Sequence, residues 1–244
     1  MDYATYEVEA QVEATHWWFV GRRKLFRSII ENIRVAPAAA ILDIGTSTGT
    51  NLRMLRDAGF FNVRGLDLHE EAIRWCSDKG LGQVDKGDIC NIPSVNNIYD
   101  LVLATDIIEH VDDDITALRE IARVLKPGGR AIVTVPAFQS LWGLQDTVSH
   151  HKRRYRKQGL VNKLCQVGLV VDECFYFNYL LFLPIWLARQ IIRLFGLKLS
   201  SENEFNSLSM NKVFSFVFSF DIATARKINP AFGVSVLAVV RKIN

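Results

Sequence analysis

Short apolar runs alternate with amphipathic segments between Ala39 and Val135. Runs such as AAAILDIG and IYDLVLAT have the continuous apolar character of strands that are covered on both faces. The segments NLRMLRDAG and HEEAIRWCSDKG instead place apolar residues at helical spacing and end in glycine. Strands that alternate with helices in this way predict an α/β fold with a parallel, doubly wound sheet.

Other segments of the chain complete this pattern. Further strands are predicted over NVRGLDL, RAIVTVP and FGVSVLAVVRK, and DDDITALREIARVLKPGG predicts a helix that begins with carboxylates and stops at Pro-Gly-Gly. Aromatic-rich segments flank this core at residues 5–33, which are predicted to be helical, and at residues 174–220. We predict one domain over residues 1–244, divided into an N-terminal helical cap (1–36), a core (37–136) and an elaborated C-terminal part (137–244).

Charge is distributed unevenly along an otherwise ordinary globular composition. Of the 244 residues, 49% are hydrophobic and 23% are charged, and the net charge is +3. Residues 1–122 carry 12 basic and 20 acidic side chains (net −8), whereas residues 123–244 carry 17 basic and 6 acidic side chains (net +11). The small total argues against a general nucleic-acid binder, and the basic half predicts a surface that meets phosphate groups or a membrane.

Cysteine spacing and the lengths of the apolar runs indicate the cellular compartment. The four cysteines form no CxxC pair, so we expect neither a disulfide scaffold nor a metal site. The N-terminal segment MDYATYEVEA lacks the apolar stretch of a secretory signal. No apolar run reaches the roughly 18–20 residues that a membrane span requires. We therefore expect a cytoplasmic protein, with peripheral association at a membrane as a further option.

The segment DIGTSTG follows the first predicted strand and opens a helix. Its glycines, Gly45 and Gly49, permit a tight turn and a close approach of the backbone to a ligand. Asp43 precedes this turn, where it would repel a pyrophosphate but suits a ligand with a cationic amine; its alternative role is a helix cap. The absence of a GxGxxG motif argues against a nicotinamide-dependent oxidoreductase.

Two further acids follow later strands. Asp67 ends the second strand, 24 residues after Asp43, where a carboxylate can accept hydrogen bonds from ribose hydroxyls; its alternative role is in a turn. Asp88 and Ile89 follow the next expected strand, where an acid and an apolar residue suit an adenine amine and ring. The joint spacing of these residues favours a nucleoside-containing ligand over the separate structural roles.

The segments ILDIGTSTG, GLDLHEEAI, KGDI, YDLVLATDIIEHVDDD and LREIARVLKPGGRAIVTVP, in this order, resemble class I S-adenosylmethionine (SAM)-dependent methyltransferases. Over residues 39–136 the likeness is greatest to the type 11/12 groups, which act on small molecules and lipids. HWWFVGRR and HHKRRYRK resemble a subgroup associated with cell-surface sugar or lipid pathways. The resemblance implies a Rossmann-like, seven-stranded sheet with an N-terminal helical lid and an aromatic-rich C-terminal insertion.

The resemblance also implies residue roles toward SAM. The loop Gly45–Gly49, including Thr46, would wrap the methionine part, and Asp67 would hold the ribose beside Leu68. Asp88 and Ile89 would contact the adenine. The end of the fourth strand would line the methyl-donor side with Ala104, Thr105 and Asp106. Ser47 departs from the family, which has glycine at this position, and a weaker affinity or a wider turn would follow.

A general base assists methyl transfer when the acceptor is a hydroxyl or an acidic carbon. His110 and His150 are the candidates, with the adjacent His151 weighed alongside His150. The structural alternative for His110 is a bridge between a strand end and a helix, and for His150 and His151 it is a solvated basic face.

The aromatic pair Trp17–Trp18 has two interpretations. As a lid it would cover the methyl donor, with Arg22 or Arg23 pairing the SAM carboxylate; as an anchor it would fix a helix to the sheet. We favour the lid, because the aromatic residues are followed by groups that bind anions.

A basic run at 152–157 precedes the apolar segment Leu180–Trp186, which is edged by Arg189, Arg193 and Lys198. This combination predicts membrane-surface contact through residues 150–198 or binding of a phosphorylated acceptor. The alternative is a buried strand and helix at 174–195 with cations that only solvate the exterior.

Together these observations predict SAM-dependent methyl transfer to a small-molecule, sugar or lipid-linked acceptor, with oxygen slightly favoured over nitrogen or carbon. The alternatives are a non-catalytic scaffold that binds SAM and an RNA methyltransferase, which the basic half would serve. Nucleic acid is disfavoured, because the Asn/Asp-Pro-Pro-aromatic tetrapeptide of many base-nitrogen methyltransferases is absent from the chain.

Overall fold

The computed structural model describes residues 10–195 and 207–243 and has a seven-stranded sheet at its centre. The strands are β1 (Ile41–Ile44), β2 (Val63–Asp67), β3 (Val84–Lys86), β4 (Tyr99–Thr105), β5 (Leu125–Pro136), β6 (Leu169–Phe177) and β7 (Ser235–Lys242). Their order across the sheet is β3-β2-β1-β4-β5-β7-β6. This arrangement confirms the α/β, Rossmann-like seven-stranded sheet predicted from the sequence.

Helices cover both faces of the sheet. They are α1 (Trp17–Asn32), α2 (Thr50–Asp57), α3 (Glu70–Asp78), α4 (Asp114–Val124), α5 (Leu144–Val148), α6 (Lys157–Gln166), α7 (Phe182–Phe195) and α8 (Leu208–Ile228). Side chains of α4 and α6 pack on one face, where Leu118, Ile121 and Leu160 are fully buried. Those of α1 and α8 pack on the other face around Phe26 and Phe218.

The sheet is parallel only in its first five strands. β1 to β5 pair in parallel, as the alternating pattern predicts, but β7 pairs antiparallel with both β5 and β6. Strand β7 enters between β5 and β6 because the chain crosses back through α8 before it. Its residues Val236–Val240 are buried on both faces, which explains the continuous apolar run.

The strand order reverses between β1 and β4, which lie side by side although β2 and β3 come between them in the chain. In open parallel sheets such a switch point leaves a crevice outside the carboxyl ends of the strands, where ligands bind. The loops after β1, β2 and β4 all meet here, and α1 lies across the same edge.

The aromatic C-terminal segment matches its buried alternative only in part. Strand β6 is buried at Phe175–Phe177, as the buried alternative requires, but α7 has no buried residue. Leu183, Leu187, Ile191 and Leu194 are between 46% and 80% exposed along one face of α7. Lys198 lies outside the described residues. Within those residues, no helix combines the length and hydrophobicity needed to cross a membrane.

Helices α1 and α8 approach closely at Gly21. A Cβ atom at this position would lie 2.2 Å from Cδ1 of Phe218, well inside van der Waals contact. We expect Gly21→Ala to destabilise the fold by about 1–3 kcal/mol, because Phe218 is completely buried and has no free space in which to move. Urea unfolding followed by circular dichroism measures the change.

The matched control is Gly159→Ala in α6, where a Cβ atom would meet nothing within 4 Å. This change should leave stability unchanged or raise it by up to about 1 kcal/mol through helix propensity. Equal unfolding midpoints for the two variants would contradict the packing described for α1 and α8.

Candidate functional site

A cavity of about 780 Å³ opens at the switch point of the sheet. One end is lined by the loop after β1 and by the residues that follow β2 and β3. The other end is lined by the segment after β4 and by residues 144–154, and α1 and α7 contribute to its sides. A single concave space therefore joins the predicted cofactor residues to the predicted acceptor region.

The loop after β1 turns through three residues with positive φ: Gly45 (74°), Ser47 (49°) and Gly49 (84°). A Cβ atom at Gly45 would lie 2.9 Å from Cδ1 of Ile107, and one at Gly49 would lie 2.4 Å from Cδ1 of Leu81. Both glycines are thus required by conformation and by space. Ser47 occupies the left-handed region with a side chain, which L-residues other than glycine adopt at a cost.

Asp43 lies beneath this loop rather than on the cavity wall, and it is completely buried. Its Oδ1 atom accepts a hydrogen bond from Nδ2 of Asn51 at 3.0 Å. Its Oδ2 atom has no hydrogen-bond partner among the described residues. Burial, together with the charge of Asp67, raises the pKa of Asp43 to about 7 despite that hydrogen bond.

Asp67 lies at the end of β2 and faces the cavity. Its two carboxylate oxygens accept hydrogen bonds from the backbone amides of Ser47 and His69, each at 3.0 Å. The adjacent Leu68 also lines the cavity and is 55% exposed. The carboxylate thus ties the glycine loop to the second strand and remains at the cavity wall.

Asp88 and Ile89 line the cavity farther along the same edge. Oδ1 of Asp88 accepts a hydrogen bond from the backbone amide of Cys90 at 2.8 Å, and Ile89 is 5% exposed. These two residues line one end of the cavity together with Asp67 and Leu68, as the sequence spacing predicts.

At the end of β4, the side chain of Ala104 lies elsewhere than predicted. Ala104 is fully buried within the sheet, paired with Ile44 and Val133, and it does not line the cavity. Its prediction as a wall residue was wrong, because side chains alternate between the faces of the sheet rather than pointing along the strand axis. Thr105 and Asp106 do line the cavity.

Trp17 and Trp18 both line the cavity and anchor α1. The Trp18 ring stacks on Phe177 and on Phe218, with centroids 6.0 and 5.4 Å away. Arg22 forms an ion pair with Asp106, and its guanidinium lies 5.3 Å from the centroid of the Trp18 ring. The anchoring role, which was the second of the two interpretations, is therefore present, and the lid over the methyl donor stays a prediction.

At the other end of the cavity, His110 contacts His151. The two rings meet edge to face, with centroids 4.6 Å apart. Burial, with a smaller effect of His151, lowers the pKa of His110 to about 4, so this imidazole is neutral at pH 7. His150 also lines the cavity and has a φ of 56°.

Glu109 and Asp146 are acids at this end that the sequence analysis did not single out. Both side chains are completely buried. Oδ1 of Asp146 contacts Nδ1 of His151 at 2.8 Å and accepts from Nε of Arg154 at 2.8 Å. Although burial opposes the shift, these hydrogen bonds hold the pKa of Asp146 well below its usual range. The only sequence signal for Glu109 was its place beside His110 in an otherwise apolar turn.

The basic run at 152–157 is not a free cationic surface. Its cations contact acids, a ring or an amide oxygen of the same chain, in these pairs: Lys152–Asp112, Arg153–Asp114, Arg154–Asp146, Arg156–Phe138 and Lys157–Asn229. Tyr155 donates to Oδ2 of Asp114 at 2.8 Å. The run therefore fixes the segment after α5 over the carboxyl edge of the sheet.

Comparison with protein families identifies the core. Residues 42–133 match a family model described as a methyltransferase domain. The O-methyltransferase rstn1 of Aspergillus nomiae is 29% identical over 121 residues, which cover 47% of this chain and 54% of that protein. An O-methyltransferase of Pyrenophora dematioidea is 28% identical over 159 residues, 60% of each chain. The chain thus spans less than two thirds of the length of these relatives.

Among solved structures, a putative methyltransferase in complex with the Trm112 methyltransferase activator of Haloferax volcanii has a similar fold. Its TM-score is 0.66, with 20% sequence identity over 99% of this chain and 95% of that chain. At this level of identity the likeness establishes the fold and leaves the acceptor open.

The raised pKa of Asp43 makes stability depend on pH. Since the folded state binds a proton more tightly than the unfolded chain, the stability that this proton provides is lost as pH rises from about 4 to about 7. We expect Asp43→Asn, measured without ligand, to exceed the wild type in unfolding free energy by about 1–3 kcal/mol at pH 8 and by less at pH 5.

Asp57→Asn, at an exposed position at the end of α2, is the control for the loss of one charge. The free energy of unfolding of this variant should differ from that of the wild type by the same amount at pH 5 and at pH 8. If the unfolding free energies of Asp43→Asn and the wild type differ by a constant amount from pH 5 to pH 8, the burial of an ionisable Asp43 is contradicted.

Proposed function

We propose that this chain, which carries a class I SAM-dependent methyltransferase domain, transfers a methyl group from SAM to an oxygen of a small-molecule, sugar or lipid-linked acceptor. The observation that carries the proposal is the single cavity with Asp67 and the glycine loop at one end and a cluster of histidines at the other. Methyl transfer is an in-line displacement, so catalysis depends on placing donor and acceptor together and excluding water.

The chain offers groups that fit SAM. Residues 45–48 of the glycine loop line the cavity, and the unpartnered Oδ2 of buried Asp43 suits a neighbouring positive charge. Asp67 would accept hydrogen bonds from the ribose, and Asp88 with Ile89 would hold the adenine. When bound, SAM supplies an electrophilic methyl group on a positively charged sulfur.

The acceptor end supports methylation of a hydroxyl. As the acceptor oxygen forms its bond to the methyl carbon and the carbon–sulfur bond breaks, the hydroxyl proton must pass to a base, and a neutral imidazole is well suited near pH 7. His110, His150 and His151 all line this end. The curated relatives that are O-methyltransferases favour the same acceptor atom.

Binding of S-adenosylhomocysteine, the demethylated product, tests the cofactor end. We expect wild-type chain to bind it at sub-millimolar concentration in isothermal titration calorimetry. Asp67→Asn should weaken binding about 10–100-fold, the loss typical of hydrogen bonds to a charged group. The amide keeps the shape of the side chain, but its single oxygen can accept from only one of the amides of Ser47 and His69, so the unfolding midpoint of the variant is measured as well.

Asp85→Asn is the control, because Asp85 lies on β3 and pairs with Arg64 on the surface. This variant should bind as the wild type does. If the wild type binds NAD but not S-adenosylhomocysteine, or if Asp67→Asn binds with unchanged affinity, the proposal is wrong.

The exposed face of α7 supports an acceptor held at a membrane. Ile185 and Arg189 line the cavity, whereas Leu183, Leu187 and Ile191 lie on the opposite side of the helix and are about half exposed. A helix with one side at the cavity and an apolar stripe facing outward would bring the cavity to a lipid surface. Arg193, exposed in the last turn of α7, adds a positive charge that favours anionic lipid.

We expect the wild type to sediment with vesicles of mixed neutral and anionic phospholipid and less with neutral vesicles. Leu187→Glu should reduce sedimentation several-fold, because it places a charge in the apolar stripe. Gln158→Glu, on the exposed side of α6, adds the same charge elsewhere and should bind as the wild type does. Equal sedimentation of both variants would rule out contact through α7.

A further inference from the structure

Two distant segments meet at the acceptor end of the cavity. Glu109 and His110 follow β4, whereas His151 follows α5. The backbone amide of Lys152 donates to the carbonyl of Glu109 at 2.7 Å, which fixes the segments side by side. The candidate ligand atoms of Glu109, His110 and His151 all lie within 4.8 Å of one another.

Glu109 is the least satisfied charged group in this region. Its side chain is completely buried, and both carboxylate oxygens lack a hydrogen-bond partner among the described residues. The nearby arginines are engaged with other acids: Arg22 with Asp106, and Arg154 with Asp146. Burying a carboxylate without compensation costs several kcal/mol, and either a proton or a bound cation relieves that cost.

The two imidazoles have the outer hydrogen bonds typical of metal ligands. Nδ1 of His151 contacts the carboxylate of Asp146 at 2.8 Å, which leaves Nε2 as its coordinating atom. The His110 ring is hydrogen-bonded to the backbone of Ser149. Carboxylates and backbone carbonyls in this position fix the orientation of a ligating histidine and raise its basicity.

We propose that Glu109, His110 and His151 bind a divalent transition-metal ion at the acceptor end of the cavity. Two imidazoles and one carboxylate suit Zn²⁺, Fe²⁺, Mn²⁺ or Co²⁺ and leave coordination positions open toward the cavity. Small side-chain rotations bring ligand atoms within 4.8 Å to the separation of about 3.4 Å that a tetrahedral site with bonds of about 2.1 Å requires. The sequence analysis expected no metal because it considered cysteine spacing.

The consequence for catalysis rests on the proposed function. An ion in this place would bind the acceptor oxygen and lower its pKa, as metal ions do for bound water. His150 lines the cavity outside the ligand set and would receive the proton from the hydroxyl. The ion would thus select acceptors with an oxygen, or two neighbouring oxygens, over amines.

The test measures metal binding without SAM or acceptor. The 244-residue chain without a histidine tag is stripped with chelator, dialysed against Zn²⁺ and analysed for bound metal. We expect about one ion per chain for the wild type, and at least a tenfold weaker affinity for Glu109→Gln and for His151→Gln. His150→Asn is the matched control, since asparagine tolerates the positive φ of this position; it should bind Zn²⁺ as the wild type does.

Substitution with Co²⁺ identifies the ligands. A site of nitrogen and oxygen atoms should give weak visible bands without the strong charge-transfer absorption of a cobalt–thiolate bond, which any of the cysteines would produce. Circular dichroism and calorimetry with S-adenosylhomocysteine are measured on each variant. Glu109→Gln should retain its fold and its binding of S-adenosylhomocysteine, so failure of the metal site and failure of the proposed function are distinguishable.

Three results would overturn the proposal: wild-type chain that retains less than a tenth of an equivalent of metal, unchanged affinity in Glu109→Gln and His151→Gln, or a thiolate band in the cobalt form. Loss of metal binding in His150→Asn equal to that in His151→Gln would overturn the ligand assignment. If metal binds as expected while S-adenosylhomocysteine does not bind, the metal site is confirmed and the proposed function is wrong.

Discussion

The parallel register between β1 and β4 determines where every candidate functional group lies. Ile44 is paired with Ala104, so the chain leaves both strands at the same level of the sheet. The glycine loop and the segment that carries Asp106 and Glu109 therefore start side by side. A shift of one residue in this pairing would turn the buried residues of β4 to the opposite face and move the two ends of the cavity apart.

Buried acids at this edge form two groups with different energetics. Asp114 and Asp146 are held by cations and hydroxyl or imidazole groups, and they fix α4 and the segment after α5 in place. Asp43 and Glu109 each keep at least one buried oxygen without a partner in the described residues. Unpaired buried carboxylates lower stability and are retained where a ligand needs them, so the second group marks the two ends of the candidate site.

Much of the fold and of the cofactor end could be predicted from the sequence, because both depend on local patterns. Strand runs, helix-ending glycines and the spacing from Asp43 to Asp67 placed β1 to β5 and one end of the cavity. The contact of His151 with His110 and the pairing of the basic run with Asp112 and Asp114 could not be predicted, because they join segments far apart in the chain. Apolar content alone also cannot separate a buried helix from α7, whose apolar stripe is exposed.

We infer that one cavity holds the methyl donor at the glycine loop and the acceptor beside the histidines. A crystal structure of the chain with S-adenosylhomocysteine is the decisive measurement. We expect the ligand to lie along Gly45–Gly49, with its ribose at Asp67 and its adenine at Asp88 and Ile89, and the space toward His110 to stay open. A ligand bound elsewhere, or one that fills the histidine end instead, would show that this assignment is wrong.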